Sequence, residues 1–477
     1  MADIDVIKAL YTAIEKQIFQ GEGIESGNMI SLYPGTGFSF DDNLDESNMS
    51  DLYDQSAYLD KTLSADWIVS ETPNKLSELV NQASDSLMLP IETDVDEDRI
   101  DKLYDRLDRY ETRYLKGKVE YQNSQLDYQA GISRGVDPSE LLRLRQKRDA
   151  AMKSWQTSGR KNMYERDLAK LNQLTSVYPE KPWQRIRDVL DNPFTDPTKG
   201  NFQPIYLFPK VREWKNRGWS KVHVSSEDFR SSLHSKVTTW SVGGGFSSGL
   251  WRFGASESGY ESRDKMHSDL LSLNLEMELL RVEIQRPFYV GSTFSSTNWC
   301  YNPTILDNGD RQNLWSWGGD LSNAVKPNGR APLIPNELLV ARNVVISGFN
   351  DVQDREIFER RVERKVSCGW GPFRVSGRKT EWQRKETVQS EVRDGSIVIK
   401  TPQVIGISSV LLSDTPNPSL RLKWPQPPYA DYKHLDWLGS THQEQEELWD
   451  IQEELDLAKE RASTRLDSLS NRIIDGK

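Results

Sequence analysis

Apolar positions recur along this chain with more than one rhythm. In residues 4–19, Ile4, Ile7, Leu10, Tyr11, Ile14 and Ile18 fall three and four apart, which predicts a short helix with one apolar face. Residues 21–50 are rich in Gly, Ser, Asn and Asp and read as an extended loop or arm. From Ile100 the period becomes seven, through Leu107, Tyr114, Tyr121 and Tyr128, with Leu103 and Tyr110 on the accompanying seam. That stripe predicts a long helix ending near Gly131. Asp137-Pro138-Ser139-Glu140 then supplies an N-cap, a proline at the first helical position and an acid in the first turn, so a second helix is expected to run to about Leu174. Two helices of this size form an antiparallel hairpin about 50 Å long at 1.5 Å per residue.

Prolines at 179, 182, 193, 197, 204 and 209 forbid long helix and mark a change of architecture. Beyond them short β-branched runs alternate with Gly, Ser and Pro up to about residue 413, as in 221–226, 280–284, 338–348, 396–399 and 403–412. A proline-rich connector follows, and then Leu448, Ile451, Leu455, Ala458, Ala462, Leu466, Leu469 and Ile473 recur at three and four. This last pattern suits a coiled-coil seam, with Leu448, Ile451, Leu455, Leu466 and Leu469 as the expected assembly interface. The chain is therefore expected to be α+β. Its parts are an acidic region (1–95), a helical hairpin (96–177), a proline-rich transition (178–214), a sandwich-like β body (215–412), a connector (413–441) and an amphipathic helix (442–477).

Within the β body one stretch alternates strictly. Trp240, Val242, Phe246 and Leu250 occupy even positions, while Ser241, Gly243, Gly245, Ser247 and Gly249 occupy odd ones; the parity flips afterwards, so that Trp251, Phe253 and Ala255 carry the apolar side chains. A flip of this kind marks a hairpin turn or a bulge. At an offset of 120, Val362, Val366, Gly369, Trp370, Phe373 and Val375 answer Val242, Phe246, Gly249, Leu250, Phe253 and Ala255. Val222-His223-Val224-Ser225 and Val344-Val345-Ile346-Ser347 also match, at 122. Two related modules, about 215–290 and 340–412, are the expectation.

Composition sharpens this picture. The chain has 477 residues and a net charge of −11, yet residues 1–100 hold 21 acids against 5 bases. The stretch 355–385 is basic, with Arg360, Arg361, Arg364, Lys365, Arg374, Arg378 and Lys379 among aromatics. Such a patch suits an anion, or the acidic part of this chain or of a neighbouring copy. Nucleic acid is disfavoured by the global negative charge. The mean hydropathy is −0.68 and no apolar run is long enough for a spanning helix. Asp3 and Asp5 stand where a signal peptide would be basic, which predicts a cytoplasmic protein, with non-classical export as the alternative.

Catalytic signals are sparse. The five histidines lack metal-ligand spacing, two cysteines make no framework, and no Walker loop occurs, so neither metal nor cofactor is expected. Asp94 to Asp98 resembles the opening of a calcium loop but has Arg99 where glycine is required. Gly245-Phe246-Ser247-Ser248-Gly249 fits the nucleophile-elbow pattern, with His434 or His267 as base, but lacks the helix that should follow. A non-enzymatic, self-associating structural or interaction protein is thus the first expectation. The alternative is a β-pore former, because 11 residues from Trp240 to Leu250 match the roughly 9–11 that a tilted strand needs to cross a bilayer. In that reading Trp240, Val242, Phe246, Leu250 and Phe253 face lipid, and hydrolysis at Ser247 ranks third.

Overall fold

The structure is a computed structural model that describes residues 10, 12–14, 16–17, 28–32, 44–62, 75–91, 97–176, 178–233, 251–253, 272–302, 315–316, 329–348, 368–376, 390–393, 395–412, 414–419 and 422–425. Helix α1 (Met49–Leu59) begins at Asn48, whose side chain accepts from the backbone of Ser50 and Asp51. Helix α2 (Leu76–Asp85) has Lys75 at its N-cap and is capped instead from a distance: the Asp60 carboxylate accepts from Ser77 N at 2.8 Å and from the Ser77 hydroxyl. Burial pushes the Asp60 carboxyl up, against these hydrogen bonds.

Helix α3 (Glu97–Ser133) is the heptad helix of the sequence, with Glu97 and Asp98 at its positive end. Ile100, Leu103 and Leu107 are buried, and Tyr114 and Tyr121 pack on Trp155. The return arm starts as anticipated, Asp137 accepting from Ser139 N and Glu140 N at the head of α4 (Pro138–Thr157). Asp137→Ala should therefore destabilise the head of α4, read as a lowered thermal midpoint.

A single helix to Leu174 is not what forms. The arm breaks after Thr157, Arg160 turns left-handed at φ 57°, and α5 (Lys161–Thr175) continues it. The cause is close approach at Trp155. A Cβ on Gly159 would lie 2.9 Å from Trp155 Cδ1, and one on Gly117 in the facing helix 2.6 Å away, so the indole edge is held between two glycines. The arms nonetheless stay antiparallel past the break, as Gly131 against Leu144 and Arg106 with Asp167 show.

Helix α6 (Glu180–Leu190) fits into the proline-rich transition because Pro182 lies in its first turn. Its Trp183 meets Phe294 and Trp299 edge to face, and Trp315 stacks on Phe294.

The α+β class is the observed one. Eight strands form one antiparallel sheet: β1 (Asn28–Leu32), β5 (Tyr206–Phe208), β6 (Ser220–Val224), β8 (Asn274–Gln285), β10 (Leu333–Ser347), β13 (Ser390–Arg393), β14 (Ser396–Ile399) and β15 (Gln403–Leu411). Long strands β8 and β10 pair at its centre, each flanked outside by two shorter strands in succession. A three-stranded sheet, β7 (Trp251–Phe253), β11 (Cys368–Trp370) and β12 (Phe373–Ser376), shares a core with it, so among the described residues sandwich-like layering occurs in that region. Among the described residues two short pairs complete the set, β2 (Leu87–Met88) with β9 (Cys300–Tyr301) and β3 (Phe194–Asp196) with β4 (Gly200–Phe202).

Two regions read as loose from composition are built in. Asn28–Leu32, inside the Gly/Ser/Asn-rich stretch, pairs with the edge of β15. In the proline-rich connector, Thr415 bridges Ser316 and Trp424 is buried with Met88 and Cys300. Backbone pairing and one indole suffice where local composition carries no periodicity.

The central sheet buries opposite faces in different halves. Leu280, Val282 and Ile284 of β8 belong to a core shared with α1, α2 and α6, whereas Leu275, Met277 and Leu279 face a second core shared with Leu126 and Ala130 of α3.

Candidate functional site

Four strands of the large sheet end on one row. Val224 of β6 stands opposite Leu275 of β8, Leu275 opposite Ile346 of β10, and Ile346 opposite Ile397 of β14. All four side chains are buried. Past this row two long excursions separate the strands in sequence, 225–273 between β6 and β8 and 348–389 between β10 and β13. The two segments that look alike at an offset of 122 are thus the strands on either side of β8, and each leads into one excursion.

The excursions are tied together at their bases. Ser225 and Asp228 cap α7 (Ser226–Leu233) reciprocally, Ser225 N donating to Asp228 Oδ2 and Asp228 N to Ser225 Oγ, at 2.7 and 3.2 Å. Periodicity missed this helix; the Ser-x-x-Asp spacing is the signal that could have found it. Ser226 N donates to Asn274 Oδ1 at 3.3 Å, closing the first excursion, and Ser272 Oγ donates to Gly348 O at 2.8 Å, joining its end to the start of the second. Gly348 is at φ 89°, and a Cβ there would fall on the Ser272 carbonyl.

Further out, the excursions share the three-stranded sheet. Trp251 pairs with Trp370 and Phe253 with Cys368, so segments alike at an offset of 120 meet as antiparallel partners. Gln403 of β15 hooks β12, its Nε2 donating to Arg374 O at 2.6 Å while its Oε1 accepts from Arg374 N at 2.9 Å. N-terminal helical residues lie across both excursions. Leu10 packs against Gly371, Lys16 Nζ donates to Ser232 Oγ at 3.4 Å, and Leu10, Ala13 and Ile14 share a core with Phe229, Trp370 and Phe373.

Helix α3 is fastened to the sheet by buried charge. Arg281 is 4% exposed and Glu337 3%; the guanidinium donates to Glu337 Oε2 at 2.8 and 3.0 Å, and Gln122 Nε2 donates to Oε1 at 2.8 Å. Lys118 pairs with Glu283 at 3.0 Å. Burial would raise the Glu337 carboxyl, but Arg281, Lys118 and the hydrogen bonds outweigh it and hold the group below its ordinary value. For Glu283 burial prevails and the carboxyl is pushed up. Asn123 fills the gap between β5 and β6 on the outer edge of β8: its side chain accepts from Arg281 N at 3.2 Å and donates to Arg281 O at 3.4 Å, replacing a missing strand.

Of the residues singled out by sequence, Phe253 lies in β7 and half-buried Arg374 in β12, where burial lowers the guanidinium's pKa. Trp240, Val242, Phe246, Leu250 and Ser247 lie outside the described residues. So do Arg360, Arg361, Arg364, Lys365, Arg378, Lys379, Leu448, Ile451, Leu455, Leu466 and Leu469, together with His234, His267, His434 and His442. Among the described residues no group of three His, Cys, Asp or Glu could hold a metal, and no helix is long and apolar enough to cross a membrane. Cys300 is buried, and burial pushes its thiol pKa far up, which makes it a poor nucleophile. Among the described residues the arrangement consists of a four-strand row, two tied excursions and a charged clamp. The chain matches no family model, no curated protein and no solved structure.

Proposed function

We propose that this chain is a self-associating, membrane-permeabilising protein that delivers the 240–255 segment into a bilayer as an amphipathic β-hairpin. The observation that carries this reading is the row Val224, Leu275, Ile346 and Ile397. Strands added in register beyond it would prolong a sheet that is already paired, and the period-two stretch from Trp240 to Leu250 belongs to the excursion that starts there. Arg364, Lys365, Arg374 and Arg378 keep the second excursion from lipid mid-depth, where each would cost about 2–4 kcal/mol. One copy cannot close a barrel, and an open edge is not tolerated in hydrocarbon, so several copies must assemble. The seam from Leu448 to Leu469 provides a means.

Dye release from liposomes tests the proposal. The wild-type protein should empty vesicles, and Val242→Arg with Phe246→Arg should abolish release while leaving the light-scattering mass unchanged. Release that persists in the double variant sinks the assigned segment. A wild type that assembles but empties no vesicle leaves the structural or interaction reading, with a protein partner in place of lipid.

A further inference from the structure

The tip of the helical hairpin stands at the end of the sheet from which the excursions leave. Leu126 and Ala130 share the core of Val224 and Leu275, and Arg134, just past α3, lines a cavity of about 560 Å³ with Lys221, His223 and Glu276. At this tip Ile132 is 49% and Leu142 54% exposed. Neither is needed to close the hairpin, because Gly131 already receives Leu141 and Leu144, with Val136 beside them. Each exposed residue follows a contact residue by one position and so points off the seam.

The surroundings are basic in an acidic protein. From Ile132 to Arg148 the chain holds Arg134, Arg143, Arg145, Lys147 and Arg148 against Asp137 and Glu140. Asp137 is committed to the α4 cap, Lys147 to Asp127, and Arg148 to Asp149 and the Tyr128 ring. Arg143 and Arg145 hold only loose pairs at 3.9 Å and are 75% and 62% exposed. Aliphatic side chains beside cations, on a surface whose sign opposes the net charge of −11, suit the boundary between anionic headgroups and acyl chains.

We infer that the 132–145 tip is a membrane-docking element, with Ile132 and Leu142 entering the acyl boundary and Arg143 and Arg145 meeting anionic headgroups. This deepens the proposed function by naming the surface that brings the excursions to the bilayer. Co-sedimentation of the full chain with phosphatidylcholine vesicles, with and without phosphatidylserine, tests it. Wild type should bind the anionic vesicles more tightly, and less so as salt rises. Ile132→Ser with Leu142→Ser, and separately Arg143→Gln with Arg145→Gln, should each weaken binding about tenfold or more at an unchanged melting temperature. Variants that bind as wild type does, equal binding to both vesicle types, or no binding at all overturn the inference. An oligomer that the Ser pair dissociates, without any vesicle binding, also overturns it by making the tip a contact between copies. Tip-dependent binding without dye release leaves the inference standing and removes permeabilisation; release with tip-independent binding does the reverse.

Discussion

Arg281→Met should lower stability to urea by about 3–5 kcal/mol, because it leaves the Glu337 carboxylate enclosed without its guanidinium. Tryptophan fluorescence would follow the unfolding. The effect has a sign in pH. In the wild type Glu337 is held below its ordinary value, so its contribution is present above the unfolded-state pKa and is lost as pH falls through the folded one. In the variant, burial dominates and the carboxyl moves up, so the deficit is largest at neutral pH and narrows in acid as the group takes a proton. Arg281→Met combined with Glu337→Met should recover much of the loss, since an apolar pair of similar volume replaces the buried ions. A double variant as unstable as the single one would show that the clamp matters for packing rather than charge.

Gly348→Ala is expected to act locally and strongly. A non-glycine residue at φ 89° costs on the order of 1–3 kcal/mol, and the new methyl would also displace the Ser272 carbonyl that lies against it. Hydrogen exchange should accelerate in 272–275 and 344–348 before it does so in α3 or the Trp183 core. Under the proposed function the variant should also release dye faster at equal dose, because the tie between the two excursions is weakened. Unchanged exchange at these strands would mean that the junction accommodates a side chain and restrains nothing.

Much of the scaffold could be read from local signals. The heptad stripe of Ile100 and Leu107, the Asp137 cap and the apolar runs of β8, β10 and β15 act over a few residues, and the structure bears them out. The break at Gly159 escaped because the apolar rhythm continues across it; only the facing Gly117 and the bulk of Trp155 explain it. Asn28–Leu32 escaped because a five-residue edge strand needs a partner more than a pattern. The site was less legible still. Arg281 and Glu337 are visible as charges inside apolar runs, but their pairing spans 56 residues and depends on the register of β8 against β10. The four-strand row likewise exists only once three registers are known, although the likeness of 222–225 to 344–347 had already hinted that two strands play equivalent parts.

The pairing of Trp251 with Trp370 and of Phe253 with Cys368 bears on timing. Because β11 stands between β7 and β12, peeling β7 away costs it one ladder while the ladder to β12 stays, so the cheapest path is for the first partner to depart alone. Under the proposed function, kinetics would then display a single exponential for the first segment, and a crosslink between β7 and β11 would silence it.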